Sequence, residues 1–205
     1  RRPPLWWILH PCVRYRSGMS TQPHYWDIAK AHLRSVDPIM AAVIDAHEEP
    51  PLRSKGRVFE TLVHAIVGQQ ISAKAAEAVW QRFIGLIGDV TPPSIREHSV
   101  EALRGVGLSG RKVEYILGLC GEADWLVSQS FDDLDDNAVR AKLVALRGIG
   151  PWTAEMVLIF SLLRPDVLPL GDIGVIRSVE QLYARGEALT IEQVAEIASP
   201  WAPYR

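Results

Sequence analysis

The chain has 205 residues, 48% of them hydrophobic and 22% charged, with a formal net charge of −2. This is a globular composition with apolar material for a sizeable core, as one domain or two small lobes. It excludes a bulk basic field, so a nucleic-acid partner has to be held by local positive groups or by backbone amides. The two cysteines, Cys12 and Cys120, form no CxxC pair; this argues against a disulfide framework or a zinc site and suits a reducing cytosol. No apolar run approaches the ~20 residues of a membrane span.

At the start, RRPPLWWILHPCVRYRSG carries a short apolar patch, Leu5 to Leu9, behind two arginines. It matches a signal peptide only loosely. Residues 1–22 are expected to be an unstructured leader or upstream extension, and 23–205 the folded core, cut short at its C-terminus. From there the periodicity is helical almost throughout. One pair of helices is expected over Tyr25 to Arg34 and Pro38 to His47. RVFETLVHAIVG places Val58, Phe59, Leu62, Val63, Ile66 and Val67 on one stripe. SAKAAEAVWQRFIGLIG repeats the pattern behind Ser72, a good N-cap. GRKVEYILGLCGEADWLV reads as one helix, and DNAVRAKLVAL as another capped by Asp136. PWTAEMVLIFSLL is apolar all round and hence central. IGVIRSVEQLYA and IEQVAEIA follow, and SPWAPYR reads as the approach to a further helix. No segment alternates at period two. The fold class is all-α, a two-lobed helical core with Gly/Pro connections.

LRGIG, Leu146 to Gly150, stands between two helices and is nearly repeated by LRGVG, Leu103 to Gly107. The echo fits either a tandem DNA-binding hairpin or two unrelated glycine caps. Gly148 and Gly150 allow positive φ and leave nearby amides unshielded. Pro151 suits the first helical position, where no N–H is needed. Such a helix start attracts an anion such as phosphate, although a plain corner between helices has the same look. Asp172 precedes another helix, where a carboxylate caps amides and is favoured in its charged form. His64 and His98 are expected on helix and loop surfaces, without metal-ligand spacing.

Four segments in order resemble one family. HAIVGQQISAKAA is similar to its GQQxS segment and LRGVGLSGRKVEYI to its LRxxGLSxxK segment. LRGIGPWTAEMVLIF looks like its helix–hairpin–helix motif, and RPDVLPLGDIGVIRSV like its Gly/Pro-rich loop with an aspartate. The set covers about Phe59 to Val179 and resembles the helix–hairpin–helix-GPD base-excision DNA glycosylases. Within them it looks like the alkylation-repair group, DNA-3-methyladenine glycosylase II.

The resemblance implies a monofunctional enzyme that flips alkylated purines out of double-stranded DNA and hydrolyses the glycosidic bond. It places the catalytic carboxylate at Asp172. It assigns phosphate contacts to amides around Gly148, Gly150 and Thr153, with Arg111 and Lys112 adding charge, and puts a wedge for the emptied stack at Gln70. Trp152 and Met156 fall on base-pocket positions. Bifunctional relatives carry a lysine where this chain has Trp152, so no Schiff base is expected. Hairpin carbonyls of Val144, Leu146 and Ile149 are implied ligands of a monovalent cation, Na+ or K+. No other cofactor and no iron–sulfur cluster is expected. A monomer acting in the cytoplasm at the nucleoid is expected, and a further pocket tryptophan in a helix beyond Arg205. Two other readings stay open: a non-enzymatic tandem hairpin module, and a glycosylase of the same superfamily for mismatched or oxidised bases.

Overall fold

A computed structural model describes residues 22–47, 51–54, 57–129 and 131–205. The expected leader, apart from Gln22, lies outside the described residues. In chain order the helices are α1 (Trp26–Val36), α2 (Pro38–Ala46), α3 (Val58–Gly68), α4 (Ala73–Ile87), α5 (Pro92–Arg96) and α6 (Val100–Gly105). They continue as α7 (Gly110–Gly121), α8 (Ala123–Ser128), α9 (Asp136–Val144), α10 (Pro151–Phe160), α11 (Ile173–Tyr183) and α12 (Ile191–Ile197). Two 3-10 turns, Phe131–Asp133 and Ser199–Trp201, complete the set, and no strand occurs among the described residues. The fold is all-α, as the periodicity indicates. The chain divides into two compact units, Lys55–Leu162 and the flanking segments Arg1–Ser54 with Leu163–Arg205.

The continuous unit is organised on α3 and α10. On α3, Leu62, Val63, Ile66 and Val67 are fully buried, against α4, α7 and α10. On α10, Ala154, Val157 and Leu158 have no exposed surface, which is the central position expected of an all-round apolar helix. Each such large side chain contributes about 1.5–3 kcal/mol on leaving water. Polar caps set the helix starts. Ser72 accepts from the Ala75 N–H, Thr91 from Ser94, Ser99 from Ala102 and Ser109 from Lys112.

The structure corrects three boundaries. The helix expected from Gly110 to Val127 breaks at Glu122, where α7 ends and α8 begins; Gly118 and Gly121 weaken that stretch. The cap of α9 is Asp135, whose carboxylate accepts from Ala138 N at 2.8 Å, and Asp136 is the first helical residue. Next, α10 stops at Phe160: Ser161 hydrogen-bonds Thr61 Oγ1 at 2.8 Å, and Leu163 takes φ +51°, a left-handed backbone incompatible with helix. The segment SPWAPYR, apart from these three, holds a 3-10 turn over Ser199–Trp201: Trp201 is buried, and Arg205 pairs with Asp166 at 2.6 Å. That pair holds the Asp166 carboxyl below its ordinary range.

The discontinuous unit closes on Val179, Val194, Ala198 and Trp201, with Leu33 and Met40 packed against them. Asp37 is its polar hinge. One carboxylate oxygen caps α2, accepting from Ile39 N (2.8 Å) and Met40 N (3.1 Å). The other accepts from Tyr183 Oη (2.7 Å) and Trp201 Nε1 (2.8 Å).

Candidate nucleic-acid interface and catalytic carboxylate

In the continuous unit the hairpin is closed by Leu146 N–H donating to the Leu143 carbonyl at 3.0 Å and Ile149 N–H to the Leu146 carbonyl at 3.1 Å. The two glycines play different parts. Gly148 has φ +86°, and a Cβ there would be driven into the Tyr115 ring. Gly150, expected to share the positive φ, is extended at φ −99° and ψ 178°, and a Cβ there meets nothing within 4 Å. It serves as the N-cap of α10 and brings no side-chain acceptor to that helix start. The first-turn amides of any helix lack intrahelical acceptors and sit at the positive end of its dipole. A hairpin ending on glycine and proline therefore presents donors suited to an anion.

Gly148→Ala should accordingly cost more than Gly150→Ala. The first combines a left-handed alanine with displacement of Tyr115, together about 2 kcal/mol or more. The second should leave stability nearly unchanged. Urea denaturation of both variants checks the contrast.

The same comparison settles the LRGVG echo. There the positive φ belongs to Gly107 (φ +103°), the second glycine, whereas in LRGIG it belongs to the first. Gly105 lies at the end of α6. The Val106 carbonyl accepts from Arg82 Nε at 2.9 Å. The two turns thus differ in conformation, and the echo is not a repeated hairpin.

Thr153 is 1% exposed, and its hydroxyl accepts from Gln69 Nε2 at 3.1 Å. Gln69 Nε2 also donates to the Gly148 carbonyl at 2.9 Å. Gln70, the expected wedge, is exposed and holds φ +58°, a strained state for a non-glycine residue. Trp152 is half-buried, its ring edge beside Gly68, so hairpin and GQQ segment adjoin. Met156 is 6% exposed, a packed residue of α10. Arg111 is exposed on the first turn of α7. Lys112, expected to add charge at the phosphates, is half-buried, and its ammonium donates to the Val67 carbonyl at the end of α3 at 2.8 Å. Burial pushes its pKa down. Sequence reasoning missed Arg147, on the hairpin itself, which pairs with Glu114 at 2.8 Å in an exposed contact. His64 is likewise less exposed than expected, its ring edge-on to Trp80.

Asp172 lies in the other unit. It is 8% exposed and caps α11, accepting from Gly174 N at 2.7 Å and Val175 N at 3.2 Å through one oxygen. Its own N–H donates to the Pro169 carbonyl at 2.9 Å. Upstream, Val167 N–H donates to the Arg205 carbonyl, so the loop that carries Asp172 is anchored at both ends. Among the described residues no group of His, Cys, Asp or Glu could hold a metal ion. No helix is long and apolar enough to cross a membrane.

Comparison with known proteins agrees with this assembly of parts. A DNA-3-methyladenine glycosylase of Schizosaccharomyces pombe is 31% identical over 74% of this chain and 69% of its own length. A DNA-3-methyladenine glycosylase of Bacillus subtilis is 30% identical over 72% of this chain and 54% of its own. The chain thus spans between about half and two thirds of the length of these curated relatives. Among solved structures, the S. pombe 3-methyladenine DNA glycosylase in complex with abasic DNA superposes with a TM-score of 0.78 at 29% identity, covering 87% of this chain and 91% of that one. The DNA-3-methyladenine glycosidase of Bacillus halodurans superposes with a TM-score of 0.66 at 36% identity, covering 86% and 83%. The family model described as HhH-GPD superfamily base excision DNA repair protein matches residues 63–203, which take in the GQQ segment, the hairpin and Asp172 alike. The chain is therefore a member of the HhH-GPD superfamily of base excision DNA repair proteins.

Proposed function

We propose that this protein is a monofunctional DNA glycosylase that removes alkylated purines of the 3-methyladenine and 7-methylguanine type and leaves an abasic site. The observation that carries this reading is Asp172: a buried carboxylate, held by two backbone amides at a helix start, on the aspartate of a family whose named relatives excise 3-methyladenine. Breaking the N-glycosidic bond leaves oxocarbenium-like charge on the deoxyribose, which a nearby anion stabilises. The bond's electron pair leaves on the purine and cancels its positive charge, so the leaving base needs little acid catalysis. Water adds to C1′ and gives its proton to Asp172, which passes it to solvent.

The amides around Gly148, Gly150 and Thr153 hold phosphates, with Arg111 and Arg147 adding charge at the surface. Lys112 has one donor on Val67, so its part is first to hold α3. Gln70 fills the emptied stack, and its exposed left-handed backbone supports that role. Trp152 is the pocket wall, offering an aromatic face to a cationic ring, and Met156, buried on the same helix, is the second pocket residue. The carbonyls of Val144, Leu146 and Ile149 lie at the end of α9 and in the following turn, where the helix dipole is negative and the donors are all oxygen. That donor set suits Na+ or K+. We further propose that it acts on DNA in the cytoplasm at the nucleoid.

Release of free methylated bases from methylated duplex DNA tests the reading, with abasic sites left uncut. A covalent complex trapped by borohydride would count against it, because Trp152 cannot form a Schiff base. Release of oxidised or mismatched bases in place of methylated ones would move the protein elsewhere in the superfamily.

A further inference from the structure

The loop from Gly68 to Ser72 is tied at three places. Before it, Lys112 Nζ holds the Val67 carbonyl at 2.8 Å. After it, Ser72 Oγ accepts from Ala75 N and starts α4. Between them, Gln69 Nε2 reaches the Gly148 carbonyl at 2.9 Å and Thr153 Oγ1 at 3.1 Å, residues 79 and 84 positions further along the chain. A carbonyl can only accept, so the Gly148 contact fixes the amide's orientation, with both Nε2 hydrogens engaged. The peptide between Gly148 and Ile149 is then held at both ends: its carbonyl by Gln69, its N–H by the Leu146 carbonyl at 3.1 Å. Without the first bond the peptide keeps its N–H tie to Leu146, so the hairpin amides stay aimed, but the side-chain tie from the hairpin to the loop is lost. The residue after Gln69 is Gln70, at φ +58°. Such a backbone persists only where its surroundings over-determine it.

We infer that Gln69 is a positioning residue that joins the phosphate-gripping hairpin and the loop bearing Gln70 into one rigid clamp, so that seating the DNA backbone sets where the wedge enters the stack. The inference rests on the function proposed above. Gln69 itself touches neither the sugar nor the base. Its loss leaves the amides able to bind phosphate, but the wedge no longer stands in fixed register with them. Misplacement of a reacting group by about 1 Å costs on the order of a hundredfold in rate. Binding of undamaged duplex depends little on wedge position and should barely change.

The test uses the full chain with Gln69→Ala and Gln69→Glu. Glu keeps the size of the side chain but sets a carboxylate against the Gly148 carbonyl, so a packing role tolerates it and a donor role does not. The probe is duplex DNA carrying an abasic-site analogue beside 2-aminopurine, whose fluorescence rises when the stack opens. Stopped-flow fluorescence reads wedge insertion without any excision, and single-turnover base release is followed in parallel. Both variants should lose about 10–100-fold in opening and release rates. Affinity for undamaged duplex should stay within about threefold of the parent, and circular dichroism should remain that of a folded helical protein. A Gln69→Glu protein that opens the stack at the parent rate overturns the inference. So does a parent protein that binds the duplex without opening it. A parent that opens the stack but releases no base leaves the clamp standing and counts against the proposed activity alone.

Discussion

Asp172→Asn is expected to lower single-turnover release of methylated bases by at least about a hundredfold while leaving lesion-DNA affinity and folding close to those of the parent. The separation is possible because the capping of α11 and the proposed catalytic duty of this residue rest on different properties. Capping requires a side-chain oxygen toward Gly174 N and Val175 N, which one oxygen now satisfies. Asparagine supplies such an oxygen and ranks with aspartate as a cap. Stabilising a sugar cation requires negative charge, which asparagine lacks. Asp172→Ala removes both and should add about 1 kcal/mol of destabilisation to the same loss of activity. Methylated-base release and thermal melting, measured side by side, distinguish the two variants. Full activity in Asp172→Asn would show that this carboxylate does no chemistry.

Asp37→Ala should be the most damaging substitution for stability, at about 3 kcal/mol, or roughly 10 °C in melting temperature. The carboxylate receives four donors, two from α2 and one each from Tyr183 and Trp201. Alanine strands the Tyr183 hydroxyl and the Trp201 indole N–H in the interior. Asparagine does little better, because its amide nitrogen would face one pair of donors. Burial raises the Asp37 pKa, but the hydrogen bonds from Tyr183, Trp201, Met40 and Ile39 outweigh it and hold the carboxyl below its ordinary value of 3.8. The folded state therefore prefers the ionised form. The resulting stability is fully present above pH 3.8 and is lost as the pH falls toward the folded-state value. The parent should show this acid sensitivity and Asp37→Ala should lack its share. Urea unfolding from pH 7 down to pH 3 measures both.

What the sequence made legible was local chemistry. Ser72 and Asp172 announce helix starts because capping acts over three residues, and both cap as read. Where two candidates adjoin, local chemistry is ambiguous, which is why Asp135 and not Asp136 proved to be the cap. Helices of five or six residues, such as α5 and α8, are too short to display a period of 3.6. Gly148 and Gly150 look alike in sequence, yet only the packing of Tyr115 decides which one must lack a side chain. The long-range bonds of Gln69 and Asp37 carry no local mark. Their partners lie 79 and 164 positions away, and such pairings are specified by tertiary packing alone. The GQQ motif took in Gln69 as well, but gave a role only to its neighbour Gln70.

The Asp37 network also constrains when the protein can become complete during synthesis. The unit from Lys55 to Leu162 is contiguous and can assemble once its own residues are available. The other unit joins Asp37 to Tyr183 and Trp201, so its first two helices must wait for about 164 further residues before their buried carboxylate finds its donors. A ribosome adds about 5–20 residues per second. Over that interval of roughly ten to thirty seconds, α1 and α2 expose Leu33 and Met40 without a core to enter. The nascent chain thus holds a finished hairpin lobe while the lobe destined to carry Asp172 is still unfinished, and chaperone capture during translation should fall on α1 and α2.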